Sequence, residues 1–247
     1  MDLGIAGRRA AIAGSSAGLG FAAARALAAE GAQVALCGRN SDRLGAAAAQ
    51  IEGAVPIEAD VSSVEGATAF VEQAVEALGG IDILVPNAGG PPPGNFAATP
   101  LDAYASALAL NLLSTVAMCH AAVPAMCERG WGRVVAVTSI SVRQPIGDLI
   151  LSNTARAGVT GFLKTLAREV AGRGVTVNSV QPGLHATDRL RQLYRGDLTS
   201  AAGSIPAGAV GRPEDFGAVV AFLCSDAARF VTGAAVPVDG GAYQGLQ

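Results

Sequence analysis

Charged residues are scarce in this chain. Only 15% of its 247 residues are charged, 51% are hydrophobic, and the formal net charge is −3. Ordinary globular domains carry about 25% charged residues, so much of this chain is expected to be buried, including at subunit interfaces. The 17 Lys and Arg residues are scattered along the sequence. This distribution offers no basic surface for nucleic acid or an anionic membrane, and we expect neither as a partner.

Metal-site and disulfide patterns are missing as well. The four cysteines form no CxxC pair and no spacing that suits zinc, and the two histidines lie far apart. We therefore predict no metal site, and buried free thiols in the reducing environment of the cytoplasm. The residues concerned are Cys37, Cys119, Cys127, Cys224, His120 and His185.

The chain shows no linker and no targeting segment. No Pro/Ser-rich or charge-rich stretch divides residues 1–247, which predicts a single domain. The N-terminal sequence MDLGIAGRRAAIAG leads directly into a glycine-rich turn and is not typical of a signal peptide. Residues 103–127 lack charge, but Asn111, His120 and Pro124 interrupt the apolar run. A helix buried between protein surfaces is favoured over a membrane span.

Strand-length apolar runs alternate with alanine-rich helical segments along the whole chain. Each of the first six runs is followed by a segment that can be helical, which predicts a doubly wound, parallel α/β sheet of Rossmann type with helices on both faces. Residues 187–211 break this rhythm, and we predict a substrate lid there. The seven runs are residues 9–14, 33–38, 54–60, 81–89, 133–139, 175–183 and 233–241.

A glycine-rich turn follows the first predicted strand. The sequence AGSSAGLG places Gly14, Gly18 and Gly20 between that strand and the next helix. Glycine permits the tight turn and lets the backbone approach a pyrophosphate, whose charge then faces the amides of the helix N-terminus. The turn therefore indicates a dinucleotide site. The alternative is a turn that only packs the strand on the helix.

The end of the second predicted strand indicates which dinucleotide binds. NAD sites carry an acid here that accepts the ribose 2′-hydroxyl, but this chain has Arg39 and Asn40 in the sequence CGRN. An arginine can bind a 2′-phosphate with paired donors, so NADP(H) is favoured over NAD(H). A solvated surface arginine is the alternative. Asp60 and Val61 are placed to meet the adenine, and residues 87–89 to turn against its ribose.

Taken together, these motifs resemble those of the classical short-chain dehydrogenases/reductases over nearly the whole chain. The resemblance implies a Rossmann fold and an NAD(P)-dependent oxidoreductase that acts on a small carbonyl or alcohol. The matching pieces are AGSSAGLG, DV at 60–61, NAGG at 87–90, Asn111, VTS ending at Ser139, PGLHAT at 182–187 and the C-terminal VTGAAVPVDGG.

The resemblance also implies roles for individual residues. Ser139 would hydrogen-bond the substrate oxygen, and Asn111 would hold its helix and a catalytic water. The cofactor would lie against Gly14, Ser15, Ser16, Gly18, Leu19, Gly20, Arg39, Asn40, Asp60, Val61, Asn87, Ala88, Gly89, Arg156, Pro182, Gly183 and Thr187, with the last three at the nicotinamide.

The chain departs from the family at its catalytic tyrosine and lysine. Where the tyrosine would stand, thirteen residues after Ser139, this chain has Ser152, and Arg156 replaces the lysine four residues later. GGPPPG at 89–94 together with LSNTAR at 151–156 is similar to a divergent subgroup of 3-oxoacyl reductases. The altered motif, SxxxR, raises the question of which group supplies the proton.

A serine cannot take over the role of the tyrosine. A phenol has a pKa of about 10 that a nearby cation can lower, whereas a serine hydroxyl is a far weaker acid and arginine titrates above about 12. Ser139 and Ser152 are instead expected to donate hydrogen bonds to a developing alkoxide. Arg156 is expected to hold the nicotinamide ribose and to supply fixed positive charge.

The proton then has to come from another source. Water ordered near Asn111 is one candidate, and His185, which follows the sixth strand, is another because imidazole titrates near neutrality. A loop histidine in solvent or at a helix cap is the alternative for His185. Tyr194 in the lid and Tyr104 in the fourth helix are further candidates, and Tyr243 can contact a neighbouring subunit.

These observations predict an NADPH-dependent ketoreductase of an acyl or polyketide-like compound, with an atypical proton donor. A non-redox isomerase, dehydratase or cyclase is one alternative, and a catalytically silent binding subunit is another. The charge-poor helices at about 103–128 and 152–171 predict a homodimer or a homotetramer.

Overall fold

The computed structural model describes residues 2–194 and 197–246 of the chain. Its strands are β1 (Arg9–Ile12), β2 (Gln33–Gly38), β3 (Val55–Glu58), β4 (Ile83–Val85), β5 (Gly132–Val137), β6 (Val175–Pro182) and β7 (Ala235–Val238). They form one seven-stranded sheet in the order β3-β2-β1-β4-β5-β6-β7, and every pairing is parallel. The predicted doubly wound fold is confirmed. Four residues of the domain predicted for the whole chain, 1, 195, 196 and 247, lie outside the described part.

Helices connect the strands and cover both faces of the sheet. They are α1 (Gly18–Ala29), α2 (Ser41–Ala48), α3 (Val64–Leu78), α4 (Ala103–Leu108), α5 (Ser114–Arg129), α6 (Ile150–Val170), α7 (Asp188–Leu193), α8 (Leu198–Ala202) and α9 (Pro213–Leu223). A π-helical segment, Ala109–Leu113, joins α4 to α5. The strand order reverses between β1 and β4, and ligands of such sheets bind at the carboxyl ends of the strands beside this point.

Alternation along the strands builds two cores. In β1, Ala10 and Ile12 belong to the core under α1 and α9, while Ala11 faces the core under α3, α5 and α6. Both faces of the sheet are therefore buried, which explains why the strands read as continuous apolar runs.

The long apolar helical stretch Ala103–Arg129 contributes to the core under α3, α5 and α6. By length and composition alone it could cross a membrane, with a mean hydropathy of 1.6, and half of its most apolar window is buried. Met118 and Met126 are fully buried against the sheet and α3. We interpret the stretch as a core helix of the α/β domain, because the buried core helix of a domain can be as long and as apolar as a membrane-spanning helix.

A buried ion-pair network ties the amino end of the sheet together. Asp82 is only 4% exposed, and its two carboxylate oxygens accept from Arg9 Nε at 2.8 Å and Nη2 at 2.7 Å. Arg129 Nη2 lies 3.5 Å from the same carboxylate. Burial alone would raise the pKa of Asp82, but hydrogen bonds and charge from Arg9, with the charge of Arg129, hold it below its ordinary value.

This network is expected to make stability depend on acid pH. A carboxyl whose pKa is lowered by folding stabilises the protein above its unfolded pKa of about 3.9, and this contribution is lost as pH falls through the lower folded pKa. We expect Asp82→Asn to lower the free energy of unfolding by about 2 kcal/mol at pH 7, measured by urea denaturation. The difference from wild type should shrink below the unfolded pKa. Asp188→Asn, which removes an exposed pair with Arg191, is the control and should change nothing measurable.

Candidate active site

The turn between β1 and α1 has the form of an anion cradle. Gly14 and Gly18 adopt φ values of 55° and 61°, a backbone conformation that other residues rarely adopt. Ala17 at the N-cap of α1 provides no side-chain hydrogen bond, and the first turn contains no acid. The N-terminal amides of α1 are therefore left for an external acceptor, and the residues fit a pyrophosphate.

Asn87, at the end of the run that contains β4, shapes this turn from the side. Its Nδ2 donates to the carbonyl oxygens of Ala13 at 3.2 Å and Gly14 at 3.0 Å. A Cβ added to Gly20 would collide with the carbonyl oxygen of Gly14 and would lie 2.8 Å from Asn87 Nδ2. Asn87 and Gly20 thus act together to hold the backbone of the cradle.

Ser15 belongs to the scaffold rather than to the open surface of the cradle. It is fully buried; its hydroxyl donates to the carbonyl oxygen of Ile12 at 2.7 Å and accepts from the backbone amide of Cys37 at 2.9 Å. These bonds join the ends of β1 and β2. Four other residues were expected at the cofactor. Ser16 lies beside Gly38, and Gly89 is exposed. Leu19 and Ala88 are partly buried and pack against the hydrophobic cores.

The end of β2 carries an exposed cation beside the expected adenine position. Arg39 Nη1 lies 3.7 Å from Asp60 Oδ2, and their side chains are 73% and 53% exposed. Partial burial acts to raise the pKa of Asp60, but hydrogen bonds from Ser62 and the charge of Arg39 lower it. Asn40 caps α2 by accepting from the backbone amide of Arg43 at 2.8 Å.

Val61, also expected at the adenine, is 8% exposed and packs in the core under α3.

Ser139 lies two residues after the end of β5 and caps a short 3-10 turn. It is half-buried, and its Oγ accepts from the backbone amide of Ser141 at 3.1 Å. The hydroxyl hydrogen of Ser139 therefore remains free to donate to a ligand.

Ser152 and Arg156 converge on the same strand end from α6. They lie one helical turn apart and are 7% and 9% exposed. Arg156 Nη1 donates to the carbonyl oxygens of Val137 at 3.1 Å and Thr138 at 2.8 Å. Because Thr138 immediately precedes Ser139, these bonds place Arg156 at the carboxyl end of β5 next to Ser139, and Ser152 lies one helical turn away on α6.

Asn111 lies in the π-helical segment between α4 and α5. Its Nδ2 donates to the carbonyl oxygen of Gly89 at 2.9 Å, whereas its buried Oδ1 has no hydrogen-bond partner among the described residues. Such π-helical turns often occur at functional sites because they redirect a side chain out of the regular helix. The free oxygen is suited to accept a hydrogen bond from water or from a ligand.

The predicted lid begins next to the cradle. Thr187 caps α7 by accepting from the backbone amide of Leu190 at 3.3 Å, and a Cβ on Gly18 would lie 3.6 Å from its Cγ2. Gly183, after Pro182 at the end of β6, donates to the carbonyl oxygen of Val238 at 3.0 Å. Two residues of the predicted lid, 195 and 196, lie outside the described part.

His185 is buried on the other side of this loop. Its ring packs edge-on against Phe216 at 5.4 Å, and its Nδ1 lies 3.2 Å from the carbonyl oxygen of Gly183. Burial, opposed by the contact with Gly183, lowers the pKa of His185. It is neither in solvent nor at a helix cap, and its contacts are with Phe216 of α9 and with Gly183 and Gly211 rather than with Ser139 or Ser152.

Two further features were missed in the sequence. Arg189 of α7 donates to the carbonyl oxygen of Gly90 at 3.3 Å, which brings a cation to the GGPPPG loop. Tyr243 packs against Arg143 of the same chain, with 5.7 Å between the guanidinium carbon and the ring centre. The position of Arg189 directly after PGLHATD could have indicated a cation near the site. No local pattern predicts the contact of Tyr243.

Comparison with known proteins finds relatives that match almost end to end. A family model described as Enoyl-(Acyl carrier protein) reductase matches residues 13–243. The chain is 33% identical over 249 residues to the 3-oxoacyl-(acyl-carrier-protein) reductase FabG of Aquifex aeolicus (strain VF5), covering 98% of this chain and 100% of that protein. It is 34% identical over 244 residues to Dehydrogenase/reductase SDR family member 4 of Homo sapiens, covering 96% and 88%. L-sorbose reductase from Gluconobacter frateurii, solved with NADPH and L-sorbose, superposes with a TM-score of 0.93 at 34% identity and covers 100% of both chains.

Proposed function

Because this chain belongs to the short-chain dehydrogenase/reductase family, we propose that it is an NADPH-dependent ketoreductase with an atypical proton source. Its substrate in this proposal is an acyl or polyketide-like small molecule. Relatives of this chain in the family are named as reductases, which supports a reduction as the general reaction. The observation that carries the proposal is the open anion cradle at α1, together with a free Ser139 hydroxyl at the end of β5.

The cofactor residues fit NADPH better than NADH. The cradle would take the pyrophosphate, and Arg39 would take the 2′-phosphate, with Asp60 beside it at the adenine. When bound, the cofactor supplies hydride to the carbonyl carbon. L-sorbose reductase, a relative of the same fold, is described in complex with NADPH, which supports this assignment.

Around the carbonyl oxygen, this chain's own residues would stabilise charge. Ser139 and Ser152 donate hydrogen bonds to the oxygen, and the guanidinium of Arg156 provides fixed positive charge. The proton would reach that oxygen from a water that Asn111 Oδ1 orients, and this water would be reprotonated from solvent. His185 has contacts that do not favour it as the donor.

The alternatives are a non-redox enzyme, namely an isomerase, dehydratase or cyclase, or a silent binding subunit. The observation that favours them is the pair Ser152 and Arg156 in place of tyrosine and lysine.

Anaerobic incubation with NADPH and a panel of ketones tests the proposal. We expect oxidation of NADPH, followed at 340 nm, with at least one acyl or polyketide-like ketone. Tight NADPH binding without oxidation by any ketone would overturn it, and substrate conversion without cofactor would identify the non-redox alternative.

Arg39→Asp is expected to reverse the preference between the two cofactors. Loss of a charge-assisted contact to the 2′-phosphate, with repulsion from the new carboxylate, should raise the Kd for NADPH by about 10- to 100-fold. The new carboxylate can accept from the ribose 2′-hydroxyl, so the Kd for NADH should fall. Fluorescence titration of both cofactors measures the change, and Arg43→Asp in the first turn of α2 is the matched control. Equal effects of both substitutions on NADPH would contradict a specific role for Arg39.

The charge-poor stretches at about 103–128 and 152–171 favour self-association, as a homodimer or homotetramer. Leu113 is 43% exposed and borders a groove of about 440 Å³ between α3 and α5, with Val116 and His120 on the same wall. We expect light scattering to give twice or four times the mass of one chain, and a monomer at micromolar concentration would contradict this. A cytoplasmic location is inferred from the four buried, free cysteines.

A further inference from the structure

Arg156 is a buried cation without an acidic partner. It is 9% exposed, and the ion pairs of residues 2–194 and 197–246 do not include it. Taking an unpaired charge out of water costs free energy, which proteins ordinarily offset with a counter-ion and hydrogen bonds. The only acceptors it has in this part of the chain are two backbone carbonyl oxygens, which carry no net charge.

The bonds that Arg156 makes leave one edge of its guanidinium available. Both of them use Nη1, whereas Nη2 and Nε donate to no other described residue. Both nitrogens lack a hydrogen-bond partner among the described residues, but each keeps some accessible surface that a ligand can reach. The edge formed by Nε and Nη2 matches a carboxylate, which accepts two parallel hydrogen bonds from it.

A second cation approaches from the lid. Arg189 bonds the carbonyl oxygen of Gly90, and a Cβ on Gly90 would lie 2.7 Å from Arg189 Nη2, so the glycine makes room for the guanidinium. Burial, and after it the charge of Arg189, lower the pKa of Arg156 to about 10, which leaves it charged at neutral pH. The two positive charges together favour a bound anion at Arg156.

Acids of the neighbouring elements are already paired elsewhere. Asp188 at the start of α7 pairs with Arg191 at 2.9 Å, and Asp215 in α9 pairs with Arg212 at 2.6 Å. The ion pairs of the described residues, counted to 4.0 Å, include neither Arg156 nor Arg189.

We propose that Arg156 binds a carboxylate of the substrate, so that the enzyme acts on a short oxo acid whose ketone lies at Ser139 and Ser152. The proposal rests on the proposed reductase function and adds the substrate class to it. The short length follows from the bond between Arg156 and the carbonyl of Thr138, the residue next to Ser139, which puts the carboxylate and ketone sites within a few bonds of each other. Arg189, bonded to the carbonyl oxygen of Gly90, adds a second positive charge to this region.

Binding to the NADP⁺ complex tests the proposal, because the oxidised cofactor cannot reduce a ketone during the titration. The probes are pyruvate, acetoacetate and levulinate, each paired with its methyl ester, at saturating NADP⁺ in a calorimeter. We expect at least one acid to bind about 10- to 100-fold more tightly than its ester. Arg156→Met should abolish this ratio and Arg156→Lys should keep part of it. Arg168→Met, an exposed arginine on the same helix, changes net charge equally and should keep all of it.

The outcomes separate this inference from the proposed function. Equal binding of every acid and its ester, or an acid-to-ester ratio that Arg156→Met leaves unchanged, overturns the inference. Weaker NADP⁺ binding by Arg156→Met with that ratio intact would show that Arg156 serves only the cofactor, and also overturns it. Acid-selective binding that depends on Arg156 supports the inference. If such an acid then fails to oxidise NADPH, the reductase function fails while the carboxylate site stands.

Discussion

Replacing Ser139 with alanine is expected to lower kcat for ketone reduction by about 10²- to 10³-fold, the usual effect of removing one well-aimed donor to a developing oxyanion. The hydroxyl accepts from the Ser141 amide, so its hydrogen is directed away from the protein backbone and is free for the substrate oxygen. The decrease in kcat should be large in this chain, because position 152 holds a serine and no tyrosine that would also stabilise the charge on the substrate oxygen.

The Ser139→Ala result depends on comparing kcat with cofactor binding. We expect the Kd for NADPH to change little, because Ser139 lies at the end of β5 rather than at the glycine turn. Steady-state kinetics with the ketone identified in the panel, together with fluorescence titration of NADPH, separates the two. Thr154→Ala, which removes an exposed hydroxyl bonded only to the carbonyl oxygen of Ile150, is the matched control. An unchanged kcat in Ser139→Ala would exclude a direct role for the serine.

The double substitution of Ser152→Tyr with Arg156→Lys is expected to raise the reduction of simple ketones by about 10²-fold or more, the usual contribution of a positioned general acid. Both positions are buried at the end of β5, one turn apart on α6, so a phenol and an ammonium placed there would lie close together. The lysine cation would lower the pKa of the phenol toward the working pH, whereas the natural chain has no phenol at this position.

The single substitution Ser152→Tyr is the control for this experiment, because it adds the phenol while keeping arginine in place. We expect it to gain less than the double variant. If both variants fold and bind NADPH but neither gains activity, the site is not arranged for proton delivery from this position. Activity in the double variant alone, with none in the natural protein, would favour the non-redox or binding alternatives.

The strand pattern was readable from the sequence because both faces of the sheet are buried. The run at 54–60 contains β3 (Val55–Glu58), and the run at 81–89 contains β4 (Ile83–Val85). The observed strands are shorter because the chain leaves the sheet where it begins to build the site. Asn87, for example, lies beyond β4 and uses its side chain to bond Ala13 and Gly14.

Contacts between distant segments were not readable in this way. Ser15 was predicted to contact the cofactor because it lies in the glycine motif. Its hydroxyl instead bonds Ile12 and Cys37, because the ends of two strands meet there. His185 read as a loop residue near the nicotinamide, yet α9 packs Phe216 against its ring. Each outcome depends on partners that are remote in sequence, and local patterns carry no information about them.

By itself, the sequence determined the family, the doubly wound sheet, the glycine cradle and the replacement of tyrosine and lysine by Ser152 and Arg156, because these depend on local spacing and residue type. Only the tertiary structure decided that Arg156 is buried against the carbonyl oxygens of Val137 and Thr138, with no ion pair to an acid among the described residues. The reason is physical: an arginine's charge is the same everywhere, but its burial and its partners are set by where α6 packs on the end of β5.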